Sequence, residues 1–149
     1  MEFKLILDKN HREEVVLYAK EINDFVREIE SLVKNRSKSL VGYKNREIVI
    51  LKLDDVICFT IENNKVIAIT YNGNYQIKDR LYKIEEIVDS RFIKANQSTL
   101  ANINEIERFE SSFGGTLVIV FKNGYKDYVS RRQLKHVKER LGLKWKIHI

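Results

Sequence analysis

The sequence predicts a mainly β protein with short helices, an α+β fold. Short segments rich in β-branched and aromatic residues recur from residue 40 onwards, and turn signals separate them at regular spacing. Two of these turns are the pairs Asn72-Gly73 and Asn123-Gly124, which favour hairpins because both residue types tolerate positive φ. Helical signals are confined to a few stretches, so strands dominate the prediction.

The first third of the chain differs from the rest. Glu2–Leu7 alternates polar and apolar residues, which predicts a half-buried strand. Glu13–Val33 is ambiguous, because its apolar positions fit a helical stripe while Val15–Tyr18 is also β-prone. Two arrangements stay open: one long helix, or a strand followed by a helix from about Glu21. Ile22–Val33 is helical in both.

A polar boundary at Asn35–Ser39 separates this part from a run of predicted strands. The chain is accordingly divided into an N-terminal strand and helix extension at residues 1–36, suited to dimerisation or partner binding, and a main domain at 37–149. The predicted strands of the main domain are Leu40–Tyr43, Glu47–Lys52, Val56–Glu62, Lys65–Tyr71, Asn74–Lys78, Phe92–Ala95, Ile106–Ser111, Thr116–Phe121 and Lys126–Ser130.

Two helices are predicted within the main domain. Leu81–Val88 indicates a short helix, and Arg131–Leu141 a closing helix with Ser130 as its N-cap. After the closing helix, Trp145 and Ile147 are expected to fold back and cover part of the sheet.

Length and cysteine content narrow the class of protein. A chain of 149 residues suits one domain with a small addition. The single cysteine, Cys58, lies in an apolar run and is expected to be a buried packing residue, which fits a reducing, cytoplasmic setting. Met1–Asp8 does not have the long apolar core of a signal peptide, and no apolar run approaches the ~18–20 residues needed to span a membrane.

Charge is distributed unevenly along the chain. The formal net charge is +6, yet residues 1–33 hold five basic and eight acidic side chains, whereas residues 122–149 hold nine basic and two acidic ones. A cationic terminus of this kind raises the affinity for a polyanion and makes that affinity depend on salt. The alternative is that the terminus is only a solvated face.

Two polar segments carry residue types that contact nucleic acids. Lys94–Ser98 interrupts two apolar anchors, Phe92-Ile93 and Leu100-Ala101, which predicts a stiffly held, outward-facing loop. The second segment is basic and runs from Val129 to Lys135. Arg, Lys, Asn, Gln and Ser are the side chains that reach base edges and phosphates. Together the segments predict a DNA-binding regulator.

No constellation of catalytic residues is apparent, so an enzyme is not expected. His11, His136 and His148 lack metal-ligand spacing, and neither a P-loop nor a dinucleotide-binding fingerprint occurs. Ser111–Gly115 is interpreted as a hairpin turn and not as a nucleophile elbow. Accordingly no cofactor, no metal and no small-molecule substrate is expected.

The residues resemble the LytTR DNA-binding domain family. Arg91–Asn102 is similar to the family's signature segment, and Leu53–Phe59 is similar to an upstream stretch of it. Ile106–Glu110, Leu117–Phe121 and the segments Lys122–Gly124 and Val129–Arg132 continue the pattern. The resemblance covers roughly residues 38–141. It departs from the pattern at Asn96, where a histidine is common, and at Thr99, where an aromatic residue is common. The first departure is expected to alter which base is read, and the second to loosen the loop's anchor.

The resemblance implies a β-sheet DNA reader that inserts loops into successive grooves. Carried over position by position, it implies a set of DNA-contacting residues in three segments. These are Asn64, Lys65, Lys94, Gln97, Ser98, Arg131, Arg132 and Lys135. Gln can pair with adenine and Arg with guanine in the major groove. The lysines and the serine suit phosphates, and the closing helix adds backbone N–H donors for an anion.

The partners follow from the same resemblance. Residues 1–36 are too short for the receiver domain that usually precedes this family's DNA reader, so the chain looks like a stand-alone bacterial regulator. Double-stranded DNA carrying direct repeats is the implied ligand, bound by a homodimer, and a small membrane protein is a further implied partner as inhibitor. The alternative function is a protein-interaction or membrane-surface docking module with a basic C-terminus.

Overall fold

The computed structural model describes residues 1–12, 14–34, 39–112 and 114–143, and it confirms the predicted mainly β class. Ten strands and three α-helices follow in chain order. They are α1 (Asp24–Lys34), β1 (Ser39–Lys44), β2 (Glu47–Lys52), β3 (Val56–Glu62), β4 (Lys65–Thr70), β5 (Gly73–Ile77), α2 (Leu81–Ile87), β6 (Phe92–Asn96), β7 (Thr99–Asn102), β8 (Ile106–Ser111), β9 (Leu117–Phe121), β10 (Lys126–Val129) and α3 (Arg131–Leu141).

The structure confirms the predicted helix at Ile22–Val33, which is α1, but the predictions for the residues before it are wrong. Glu2–Leu7 forms no strand, and its side chains are exposed; Phe3 is 89% exposed. Val15–Tyr18 is not a strand either, and the first helix begins only at Asp24. The Asn23 side chain caps that helix, because its Oδ1 accepts a hydrogen bond from the Val26 N–H at 3.0 Å. Alternation gives a segment one apolar face, but a strand also needs a partner for its backbone groups.

Most strands form one seven-stranded antiparallel sheet in the order β2-β1-β5-β4-β3-β7-β6. The remaining three form a small antiparallel sheet in the order β10-β9-β8. Strand β7 was not predicted from the sequence. It lies between β3 and β6 with all four residues buried, so it completes the large sheet from inside.

The large sheet packs on both faces, and one of these faces is covered only in part. Helix α2 packs on one face, where Ile84 and Leu81 join a cluster that includes Phe59 and Leu100. The small sheet and α3 cover the opposite face over β3, β7 and β6, where Val137 of α3 is 1% exposed within a second cluster. Alternation along the strands separates the two clusters, because successive side chains point to opposite faces. The turns between the strands of the large sheet are therefore attached to strands that are packed in place.

Several expectations fall on residues that the structure does not describe. The proposed boundary at Asn35–Ser39 falls within 35–38 except for Ser39, the first residue of β1, and the division at residue 36 falls within the same range. Residues 35–38 are outside the described residues, and so are Trp145, Ile147 and His148. Among the helices that are described, none combines the length and the apolar character that a membrane span requires.

Candidate nucleic-acid interface

Two turns of the large sheet lie side by side at the same end. β3 and β7 are antiparallel, with Thr60 opposite Thr99, so the β3–β4 turn and the β6–β7 turn project from neighbouring strands. A backbone hydrogen bond joins them directly, because the Ile61 N–H donates to the Ser98 carbonyl at 3.0 Å. The Asn63-Asn64 pair and the Gln97-Ser98 pair are therefore adjacent.

The start of α3 is held at the same end. The Ser130 N–H donates to the Ala95 carbonyl of β6 at 2.9 Å, and the Asn96 side chain donates to the Tyr128 carbonyl at 2.8 Å. These two bonds connect the β10–α3 junction to the β6–β7 turn. We call the β3–β4 turn, the β6–β7 turn and the first turn of α3 together the loop end.

Six of the eight predicted site residues lie at the loop end. Their side chains are exposed except for that of Ser98, which is half-buried; the six are Asn64, Lys65, Gln97, Ser98, Arg131 and Arg132. Asn64 and its neighbour Asn63 have positive φ, of 62° and 51°, which asparagine tolerates better than most residues.

The other two predicted residues lie slightly apart. Lys94 is within β6 and half-buried, and alternation places it on the same sheet face as Phe92, the face that α2 covers. Lys135 is exposed one turn further along α3. Neither Lys135 nor Arg132 has a carboxylate within salt-bridge distance among the residues described, so both charges are available to an external anion.

Asn96 is a structural residue, and the expectation that it alters base reading is wrong. It is 2% exposed. Its Nδ2 donates to Asp127 Oδ1 at 3.1 Å and to the Tyr128 carbonyl, while its Oδ1 accepts from the Ser98 N–H at 2.8 Å. Every polar atom of this amide is engaged within the chain, so none is left for a base.

Thr99 also anchors the turn, contrary to the expectation that it would loosen it. The side chain is 1% exposed, and its hydroxyl donates to Asp127 Oδ2 at 2.7 Å and lies 3.0 Å from the Thr60 hydroxyl. Asp127 therefore ties β10 to the β6–β7 turn through two side chains. The role of Asp127 was missed from the sequence, because an acidic residue in a basic segment gives no sign of its distant partners.

The environment of Asp127 also affects a neighbouring phenol. Tyr125 is half-buried and its ring stacks on Phe121 with centroids 5.9 Å apart. Burial, and secondly the negative charge of Asp127, raise the pKa of Tyr125 to about 12. Tyr125 therefore stays protonated and neutral throughout the physiological range.

The first turn of α3 is unusual in its charge. Ser130 caps the helix as predicted, accepting from the Gln133 N–H at 3.3 Å. No acidic residue follows in the first turn; Arg131 and Arg132 stand there instead. Positive side chains at a helix N-terminus are unfavourable, because that end already carries a partial positive charge. A phosphate placed there would remove this repulsion and accept the free N–H groups.

The β8–β9 turn is a part of the neighbourhood that the sequence did not indicate. Val129 is paired with Leu117, which brings this turn beside the start of α3. The Arg131 guanidinium donates to the Gly114 carbonyl at 3.3 Å. Arg131 is thus partly held by the protein, whereas Arg132 is free to reach outwards.

The described histidines and the single cysteine do not form a metal site. Across the described ranges, no group of three or more His, Cys, Asp or Glu side chains could hold a metal ion. His11 and His136 are exposed. Cys58 is fully buried, as expected, and burial raises the pKa of its thiol well above the ordinary value.

The chain is similar to known proteins in sequence and in fold. Residues 46–142 match the LytTr DNA-binding domain family. The chain is 36% identical, over 96% of its length and 99% of the relative's, to an uncharacterized HTH-type transcriptional regulator of Staphylococcus aureus strain N315. A counterpart in strain MSSA476 is 35% identical over the same shares. Among solved structures, a LytTr DNA-binding domain from Bacillus cereus has a TM-score of 0.67 at 20% identity, covering 72% of this chain and 100% of that one.

The relatives' description as HTH-type does not extend to the architecture seen here. In the part of the chain that the structure describes, strands separate each α-helix from the next, so no two helices form a helix-turn-helix pair. The family match spans well over half of the chain, and the fold agrees with it. The chain therefore belongs to the LytTr DNA-binding domain family.

Proposed function

We propose that this chain is a transcription regulator that reads specific duplex DNA with its loop end, placing the two turns and the first turn of α3 in successive grooves. The observation that carries the proposal is the pair of backbone bonds, Ile61 N–H to Ser98 and Ser130 N–H to Ala95, at 3.0 and 2.9 Å. They gather three segments, distant in sequence, into one polar and cationic surface.

Roles within this surface follow from side-chain chemistry. Gln97 and Arg132 are exposed and can make bidentate contacts, Gln to adenine and Arg to guanine. The remaining site residues bind the phosphate oxygens of the DNA backbone, as cations, hydroxyls and amides do, and so fix the position of the protein along the duplex. These are Asn64, Lys65, Lys94, Ser98, Arg131 and Lys135. Glu62 is exposed beside the β3–β4 turn. Its carboxylate would repel phosphates and so keeps the DNA backbone away from this position.

The rigidity of the surface supports specific reading. Asn96, Thr99 and Asp127 hold the β6–β7 turn against β10 through buried hydrogen bonds. A side chain discriminates between bases only when its position is fixed before the DNA arrives, because ordering a mobile loop costs free energy at the moment of binding. Gln97 is therefore displayed by a turn that is ordered in advance.

Two copies are proposed to act together on direct repeats, in the cytoplasm of a bacterium. One loop end covers only a short stretch of duplex, and a pair of sites multiplies affinity and selectivity. The relatives are named transcriptional regulators, which supports the same role here. Restraint by a small membrane protein stays a prediction.

A gel-shift assay tests the proposal. The chain should bind duplex from the region upstream of its own operon much more tightly than a scrambled duplex of equal length. Lys135→Ala should lower the slope of log K against log salt by about one, since one phosphate contact is lost. Lys122→Ala is the matched control; Lys122 is exposed in the β9–β10 turn, at the other end of the small sheet, and its loss should leave the slope nearly unchanged.

Two results would count against the proposal. Equal affinity for the upstream duplex and the scrambled one would contradict specific reading. Salt-sensitive binding to vesicles of anionic lipid, with no comparable binding to any duplex, would instead favour the membrane-surface docking module.

A further inference from the structure

The β2 edge of the large sheet is open and apolar. Within the described residues, β2 pairs only with β1, so one row of its backbone N–H and C=O groups has no strand partner. Ile48 and Ile50 point away from the core at 71% and 73% exposure, and Val41 lies opposite Ile50 at 43%. An exposed apolar edge of this kind is a template for a further strand.

The β6 and β8 edges are protected. The β6 edge is used by the chain itself, because the Ala95 carbonyl accepts from Ser130. β8 carries Glu107, Arg108 and Glu110, whose charges form ion pairs with one another. Charged side chains are a usual protection against strand addition. β2 has charged residues only at its two ends.

The N-terminal segment has the complementary property. Phe3, Leu5 and Leu7 are 89%, 73% and 89% exposed, and alternation would put all three on one face of a strand. Glu2–Leu7 has the sequence pattern of a strand, yet no strand of its own chain pairs with it among the described residues. A strand-forming segment without a partner and an edge without a strand are thus present in one molecule.

We propose that Glu2–Leu7 of a second copy adds to β2 as an antiparallel strand, so that two copies exchange their N-terminal segments. In the favoured register Phe3 lies opposite Ile50 and Leu5 opposite Ile48, which buries both apolar rows on the outer face of the sheet. This is β-strand addition, in which backbone bonds give affinity and alternate side chains give register.

Charge favours the antiparallel direction. Glu2–Asp8 carries two acidic side chains and one basic, whereas residues 39–52 carry three basic and one acidic. In the antiparallel register Asp8 arrives at the β1–β2 turn between Lys44 and Arg46. A parallel strand with Phe3 against Ile48 would put Glu2 directly opposite Glu47, and like charges facing each other across a sheet are destabilising.

The exchange leaves the loop end free. β2 and β6 are the opposite edges of the large sheet, and the loop end is built on the β3, β7 and β6 side. The described residues between 9 and 23 form neither helix nor strand. The segment that joins Glu2–Leu7 to α1 therefore does not fix the relative orientation of the β-sheets of the two copies. The exchange is compatible with two copies that point in the same direction on direct repeats.

Cysteine pairing tests the register and the occupant. Full-length Leu5→Cys and Ile48→Cys chains, mixed under mild oxidation, should form a disulfide between two chains, whereas Leu5→Cys mixed with Tyr82→Cys of α2 should not. The native Cys58 will not interfere because it is fully buried. In a chain that carries both cysteines, each disulfide should join two copies. Excess wild-type chain should therefore suppress the disulfide, because most partners then lack a cysteine. A persistent disulfide within one monomer would overturn the second copy as occupant.

Sedimentation provides the second test. The wild-type chain should be a dimer at high micromolar concentration, and Ile48→Lys and Phe3→Asp should each make it a monomer. Both side chains are exposed in the single chain, at 71% and 89%, so neither change should alter thermal unfolding of the monomer. Tyr82→Lys, 58% exposed on α2, is the control and should remain a dimer. A monomeric wild-type chain, or an Ile48→Lys chain that stays dimeric, would overturn the proposal.

Discussion

Arg132→Ala is expected to weaken binding to the specific duplex by about 1–3 kcal/mol, because a bidentate contact to guanine is lost. Binding to a scrambled duplex should weaken much less, and discrimination at one base position should relax. Competition gel shifts with duplexes substituted one position at a time would measure both effects. The expectation depends on Arg132 being exposed in the first turn of α3, with no carboxylate within salt-bridge distance among the described residues.

Lys122→Ala is the matched control for that experiment. It removes one positive charge from the exposed β9–β10 turn, at the end of the small sheet away from the loop end. Specific binding should fall only slightly, through the change in net charge. If Arg132→Ala and Lys122→Ala weaken specific binding equally, α3 does not read a base.

Asn96→Ala is expected to destabilise the fold by roughly 2–4 kcal/mol, because each buried polar group left without a partner costs about 1–3 kcal/mol. The variant would leave the Tyr128 carbonyl and the Ser98 N–H without the amide that they bind, at 2.8 Å each. Urea unfolding followed by circular dichroism would measure the loss. Specific DNA binding should also weaken under conditions where the variant is still folded, because the β6–β7 turn loses its anchor.

Asn104→Ala is the control for Asn96→Ala. Asn104 is exposed, and its backbone N–H, which the substitution keeps, makes the local bond to Asn102. Its free energy of unfolding should change by only a few tenths of a kcal/mol, as at ordinary surface positions. If Asn96→Ala is no more destabilising than Asn104→Ala, the buried amide does not hold the turn.

The main domain could be predicted closely from the sequence because its strands alternate and its turns carry asparagine and glycine. Val56–Glu62, Ile106–Ser111 and Arg131–Leu141 were predicted with the bounds that the structure shows. β7 was missed because its ends, Thr99 and Asn102, are polar. Both are buried, and their side chains form hydrogen bonds to residues far away in the chain, which no local pattern reveals.

The N-terminal segment shows the opposite error. Glu2–Leu7 alternates as a strand should, but pairing is a property of two segments, and the single chain provides no second one among the described residues. At the loop end, the sequence indicated the residue types of the site but not their roles. Asn96 was expected to alter which base is read, since an amide in a polar loop gives no sign of being buried.

The most direct test of the loop end is amide NMR on the full-length chain, titrated with the upstream duplex. The largest shift changes should fall together on Asn64, Gln97 and Arg132, while Ile48 and Arg46 at the β1–β2 hairpin stay nearly unchanged. Changes centred on the β1–β2 hairpin, with Gln97 and Arg132 unaffected at saturation, would contradict the loop end as the DNA-binding surface.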